Sequence, residues 1–258
     1  MEQFWAGLWE REDEFMHSIK PEFRHGTGLV GVATLSGQFY CEYKVENEFT
    51  LGEVPTEAKE AGTGLHNELM PTEEIAPEDF ARLVGGKGPS YAVLGLWGAV
   101  GGLRLVGMPD HMIWSEGRPL WLLELKTTRG DPIPLWEDQE NQARIYGLLL
   151  DRMGFDCTNL QLAVVRLRSG ALGVGEKRDW ATKVSNALME GRVRELEEKY
   201  RGSMKVHLLR HDRDLAEAAV EAKRGYWTGE REPTSSQSVG KCRACEYNQA
   251  CAKSLAKH

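Results

Sequence analysis

Apolar positions along the chain switch between a helical spacing of three to four and short continuous runs, as expected for helices interleaved with buried strands. Met1 to Lys20 has helical spacing, with Phe4, Leu8, Trp9 and Phe15 as its apolar contacts and Pro21 as its stop. Arg24 to Gly37, rich in glycine and short side chains, reads as a connection, after which Ser36 is placed to cap a helix over Gln38 to Glu46. Glycines and prolines crowd Met70 to Gly102, predicting loops with one short helix around Pro77 to Leu83. Leu103 to Gly107 has strand character and Leu120 to Lys126 reads as a buried strand. Trp114 to Pro119 between them has hairpin-turn composition, which sets the two runs side by side. Helices are predicted over Asp138 to Met153, Asp179 to Tyr200 and Asp212 to Tyr226, a strand over Leu160 to Leu167, and an edge strand over Lys205 to Leu209. Strands and helices alternating around one core give an α/β fold, a central mixed sheet flanked by helices.

Composition narrows the classes. The 258 residues, 41% of them hydrophobic, suffice for one large domain or a domain with a small appendage. No apolar run approaches the roughly 20 residues that span a bilayer, and the amino terminus lacks the basic and apolar regions of a signal peptide, so the expectation is a cytoplasmic protein without membrane contact. The net charge of -7, from 32 basic and 39 acidic residues, argues against a nonspecific nucleic-acid coat. It leaves a DNA enzyme open, because phosphate binding needs only a local basic groove and divalent ions. Lys183, Arg192, Arg194 and Lys199 would suit such a groove, but Glu190, Glu195, Glu197 and Glu198 among them favour a mixed solvated face.

Five cysteines in a reducing compartment point to metal rather than disulfides. Cys242 and Cys245 are two residues apart and Cys251 follows after five more, so three thiolates can face one centre. Cys41 is the candidate fourth ligand, although a lone cysteine, Cys41 or Cys157, reads on its own as a small buried hydrophobe. Zinc and an iron-sulfur cluster both accept four thiolates, and the one-plus-three distribution favours the cluster.

The candidate chemistry gathers between Gly107 and Tyr146. A period of two puts Glu124 and Lys126 on one strand face, and Pro109, unable to donate to a ladder, bends the chain so that Asp110 is aimed toward Glu124. Two acids close together call for a hard cation, Mg2+ or Mn2+, and Lys126 can orient a water and offset charge on a phosphate. Gln142 and Tyr146, four apart on the following helix, point the same way. Thr127 and Arg129 lie where they contact phosphate or simply form a solvated loop.

Pro109-Asp110 followed by Glu124-Leu125-Lys126 resembles the signature of the PD-(D/E)XK nucleases, and Gln142 with Tyr146 resembles the QxxxY element of their RecB-type branch. Cys41 with Cys242, Cys245 and Cys251 resembles the iron-sulfur nucleases related to RecB and AddB, most closely the fourth CRISPR-associated (Cas) protein family. The resemblance covers most of the chain and extends to Gly62 to His66, similar to a Gly-x-x-x-His element. It implies that Asp110 and Glu124 hold the metal with His66 and the backbone carbonyl of Leu125, that Lys126 orients water, and that Gln142 and Tyr146 position the substrate strand. It also implies a 4Fe-4S more readily than a 2Fe-2S cluster on the four cysteines, and a restriction-endonuclease-like core. The expected organisation is an N-terminal helical part (1–60), a nuclease core (61–228) and a C-terminal cysteine segment (229–258), both chain ends forming the cluster subdomain. The implied activity is a metal-dependent exonuclease on single-stranded DNA ends, trimming DNA before capture into CRISPR arrays beside an integrase complex. A RecB-like repair nuclease, a catalytically idle DNA- or integrase-binding subunit and a zinc-stabilised nucleic-acid module are the competing readings.

Overall fold

The computed structural model describes residues 2–18, 22–70 and 75–257. Helix α1 (Glu2–His17) buries Trp5 and Leu8 in the main core, and its expected end at Lys20 and Pro21 lies outside the described residues. Strand β1 (Val30–Gly31) runs straight into α2 (Val32–Tyr40), and α3 (Glu42–Leu51), α4 (Glu57–Leu69) and α5 (Pro77–Val84) follow. Five strands come next, β2 (Ser90–Tyr91), β3 (Leu96–Val100), β4 (Leu103–Gly107), β5 (His111–Ser115) and β6 (Arg118–Thr128). The second half comprises α6 (Glu137–Met153), β7 (Gln161–Arg168), α7 (Val174–Lys177), α8 (Trp180–Met189), α9 (Val193–Lys199), β8 (Met204–Arg210), α10 (Arg213–Trp227) and α11 (Val239–Ala244). No helix among the described residues is long and apolar enough to cross a membrane.

The larger sheet has the order β2-β5-β6-β7-β8 and is mixed: β6 and β7 run parallel through the α6 crossover, and the other pairs are antiparallel. A smaller sheet, β1-β4-β3, lies apart from it. The chain passes from one sheet to the other between β4 and β5, through Met108, Pro109 and Asp110. Alternation along β6 and β7 feeds two cores. Leu122, Leu162 and Val164 pack with α6, α2, α10 and α1, while Leu123, Leu125, Ala163, Val165 and Leu167 pack with α4, α8 and α9.

Several sequence expectations change. The helix expected over Gln38 to Glu46 is two helices that meet at an extended Cys41, and the first begins at Val32, within the expected connection. Val32 and Leu35 are buried and α2 packs on α6, so tertiary burial outweighs the weak propensity of this glycine- and serine-containing stretch. Ser36 is buried inside α2 rather than capping a helix. The helix expected from Asp179 to Tyr200 breaks into α8 and α9 at Gly191, whose φ of 68° ends the first helix in the left-handed region.

Within the expected loops of residues 70–102, β3 is a true strand. A Cβ at its Gly98 would meet Arg152 Cβ at 3.1 Å, so this glycine lets β3 approach α6 rather than marking a turn. The hairpin at Glu116 and Gly117, both at positive φ, joins β6 to β5 and not to the 103–107 strand. Pro109 explains this: the chain leaves β4 for the other sheet before pairing with β6. The basic stripe is a mixed face, with Arg192 paired to Glu190 and Glu195, and Lys199 to Glu176.

Candidate active site

Strand β6 is the middle strand of the larger sheet, and its carboxyl-terminal half carries the candidate residues. Glu124 is 2% exposed, and its Oε1 accepts from Lys126 Nζ at 2.7 Å and from Gln142 Nε2 at 2.7 Å. Lys126 Nζ also donates to Gln142 Oε1 at 3.0 Å, and Gln142 Nε2 lies 3.3 Å from the Tyr146 hydroxyl. The amide of Gln142 is thus oriented by the acid on one side and the ammonium on the other. Tyr146 reaches this cluster because Gly107 has no side chain, for a Cβ there would come within 2.7 Å of Tyr146 Cε1.

Asp110 closes the ladder where proline cannot. The β5–β6 register pairs His111 with Leu123, so Leu125 would next face Pro109. Its N–H donates instead to Asp110 Oδ2 at 2.6 Å. The other oxygen, Oδ1, lies 2.8 Å from His66 Nε2 on α4, which packs on the opposite face of the sheet. Gly62, one turn before His66, allows this close packing, since a Cβ would stand 3.2 Å from Thr127 Oγ1. The adjacent His111 points away, against Ser185 and Tyr91, and burial holds its imidazole down at about 4. Arg129 is 3.9 Å from Glu57, at the exposed surface.

The Asp110 carboxylate beside it raises the His66 pKa. Burial pushes the Glu124 carboxyl up to about 7 against the pull of Lys126, and the Lys126 ammonium, though burial opposes it, is held above its ordinary value by Glu124. Among the described residues, no three His, Cys, Asp or Glu side chains form a ligand set for one ion. Each acid here has a basic side chain close by, His66 at 2.8 Å from Asp110 and Lys126 at 2.7 Å from Glu124. Glu124 Oε2 is nevertheless buried with no hydrogen-bond partner among the described residues, an oxygen whose chemistry suits a hard cation beside Asp110.

The four expected cluster cysteines, Cys41, Cys242, Cys245 and Cys251, line one pocket. Tyr40, Lys44, Lys241 and Lys253 share its wall. Short turns wind the three late cysteines around it, with Cys245 N–H bonded to Cys242 O and Cys251 N–H to Tyr247 O. Cys41 enters from the α2–α3 break, its sulfur accepting from Ser236 N–H at 3.4 Å. Cys157 lies elsewhere, in the main core, its thiol pushed up by burial. Beside Cys41, Glu42 is 1% exposed and takes two hydrogen bonds from Arg231, at 2.6 and 2.7 Å, and two from Thr234.

Sequence reasoning missed Arg166. It sits opposite Lys126 in the β6–β7 register, 3% exposed. The signal was a single charge inside the apolar run Leu162 to Leu167.

No curated protein matches the chain. One solved structure similar to it is described as "Crystal structure of SSO0001", with a TM-score of 0.48 and 14% identity, covering 98% of this chain and 96% of that one. The model of the PD-(D/E)XK nuclease superfamily matches residues 42–252, a span that contains the Asp110, Glu124 and Lys126 constellation and most of the fold around it, and the chain belongs to that superfamily.

Proposed function

We propose that this nuclease is a divalent-metal-dependent exonuclease acting on single-stranded DNA ends, with its chemistry at Asp110, Glu124 and Lys126. Superfamily membership carries DNA as the substrate and usually Mg2+ or Mn2+ as the ion. The observation that carries the reading is the buried, unpartnered Glu124 Oε2 beside a lysine held on the same strand face. Asp110, Glu124, His66 and the Leu125 carbonyl would hold the ion, which when bound supplies Lewis-acid stabilisation of the phosphate. Lys126 orients the attacking water and offsets charge on the phosphate oxygens. Gln142 fixes the rotamers of Glu124 and Lys126 and, with Tyr146, borders the path of the strand. Linear and circular single strands of the same sequence test the exonuclease assignment. Degradation of the linear strand with the circle intact is expected, and equal cleavage of both would contradict it.

The cysteine pocket is read as an iron-sulfur site, 4Fe-4S in preference to 2Fe-2S. Four thiolates around one cavity, with lysines in its wall to balance an anionic group, support this. The role of the cluster is structural, since phosphodiester hydrolysis transfers no electrons. The 1–60 and 229–258 segments would then form one subdomain around the cluster, flanking the 61–228 core. Iron content and visible absorbance of single Cys→Ala proteins provide the test. Iron should be lost equally at Cys41 and Cys245 and retained in Cys157→Ala, and the reverse pattern would refute the ligand assignment.

Trimming of DNA before its capture by a CRISPR integrase complex is the physiological role proposed, supported by the one-plus-three order of the cysteines. Copurification with an integrase distinguishes it from a repair role.

A further inference from the structure

Arg166 is the feature of the larger sheet that the chemistry at Glu124 leaves unexplained. Its Nε and Nη1 are buried and make no hydrogen bond among the described residues. Asp131 and Asp138 favour its charge from nearby without pairing with it, and burial lowers its pKa. A guanidinium left buried without a counterion is costly, and an aliphatic side chain would fill the same space without that cost. Besides Lys205, its register partner on β8, which pairs with Glu197, three neighbours define its surroundings. Lys126 is its partner in the adjacent strand, a strand spacing of about 4.8 Å away at the backbone. His207, on β8 opposite Val164, also has a buried nitrogen, Nε2, with no partner among the described residues. Trp136, which precedes α6, lies with its ring centroid 5.9 Å from the Arg166 guanidinium carbon and is itself 44% exposed.

We infer that Arg166 and Trp136 form a subsite for the substrate strand, Arg166 binding one backbone phosphate and Trp136 stacking on the adjacent base. A planar guanidinium matches two phosphate oxygens at once, and an exposed indole offers a sequence-tolerant face for a nucleobase. The pairing of Arg166 with Lys126 sets this subsite beside the cleavage centre, so the strand would cross β6 and β7 with one phosphate at each. The acidic first turn of α6, with Glu137, Asp138 and Glu140, limits the space for a second phosphate there and favours one contact over an extended anion groove. The inference rests on the nuclease reading above and deepens it.

The test is binding of a fluorescent single-stranded oligonucleotide to the full chain across a salt series, with cleavage blocked by chelation. Arg166→Gln should lower the slope of log affinity against log salt by about 0.7, the loss of one phosphate contact on a single strand. Arg166→Lys should recover part of that slope. Trp136→Ala should weaken binding roughly 5- to 150-fold with the slope unchanged, the range for losing one stacked base. A purely structural Arg166 would leave the slope at the parent value. If Arg166→Gln fails to fold, the surface substitution Trp136→Ala decides, and parent affinity there overturns the subsite. Variants that match a parent able to bind single strands overturn the subsite alone, whereas a parent that binds none overturns the single-strand reading with it.

Discussion

Gly107 makes room for Tyr146, and the consequence is measurable. A methyl group at this position would meet the tyrosine ring at 2.7 Å and Val32 at 3.1 Å, in a region where both neighbours are buried. Gly107→Ala should destabilise the protein by about 1–3 kcal/mol, the usual cost of overpacking, and displace the phenol from Gln142. Urea denaturation checks this, and an unchanged midpoint would show that the ring has another place to go. The residues of the cluster were legible because each obeys a simple period: two along β6 for Glu124 and Lys126, four along α6 for Gln142 and Tyr146. Proline at 109 marked the bend. What the sequence could not show is that Asp110 substitutes for a missing ladder partner, or that Arg166 pairs with no acid among the described residues, because both depend on which strand lies alongside.

Among the elements, the junction of α3 with the segment after α10 depends on Glu42. Burial disfavours its charge, but hydrogen bonds from Arg231 and Thr234 outweigh this and hold the carboxyl down at about 2, from an ordinary 4.5. The depressed value stabilises the fold by about 3 kcal/mol at any pH above the unfolded value, and the contribution is lost as pH falls from there through the folded value. Glu42→Gln should therefore melt earlier than the parent at pH 6 to 8, by a similar margin across that range, with the difference shrinking below about pH 4.5. A gap that widened with acidification would contradict the latch. Elements bounded by plain signals, such as α6 and β7, were readable, and so was α10, whose Asp212 caps Leu215 N–H. Glycine misled in both directions: Gly98 is a packing residue inside a strand, and Gly191 breaks what the apolar spacing made one helix.

The whole molecule places a crossover between two sheets, a central strand and one helix so that acids, lysine and amide meet at a single end of β6. The mixed sheet and its helical flanks were legible from the alternation of elements. The smaller sheet was not, because β1 and β3 are short or glycine-bearing and acquire strand character only by pairing with β4. The gathering of Cys41 with the three late cysteines rests on contacts about 200 residues apart, such as that of Tyr40 with Lys241 and of Tyr247 with Gly52. The most direct test of the proposed catalytic centre is cleavage of end-labelled single-stranded DNA in Mn2+ by the parent, Glu124→Gln and Lys126→Ala, each verified as folded by circular dichroism. Activity in the parent should vanish on chelation, and each substitution should lower the rate by about 10²- to 10⁴-fold, as for a positioned charge or proton-transfer group. Parent-level cleavage by a folded Lys126→Ala protein, or parent activity indifferent to divalent ions, would contradict it.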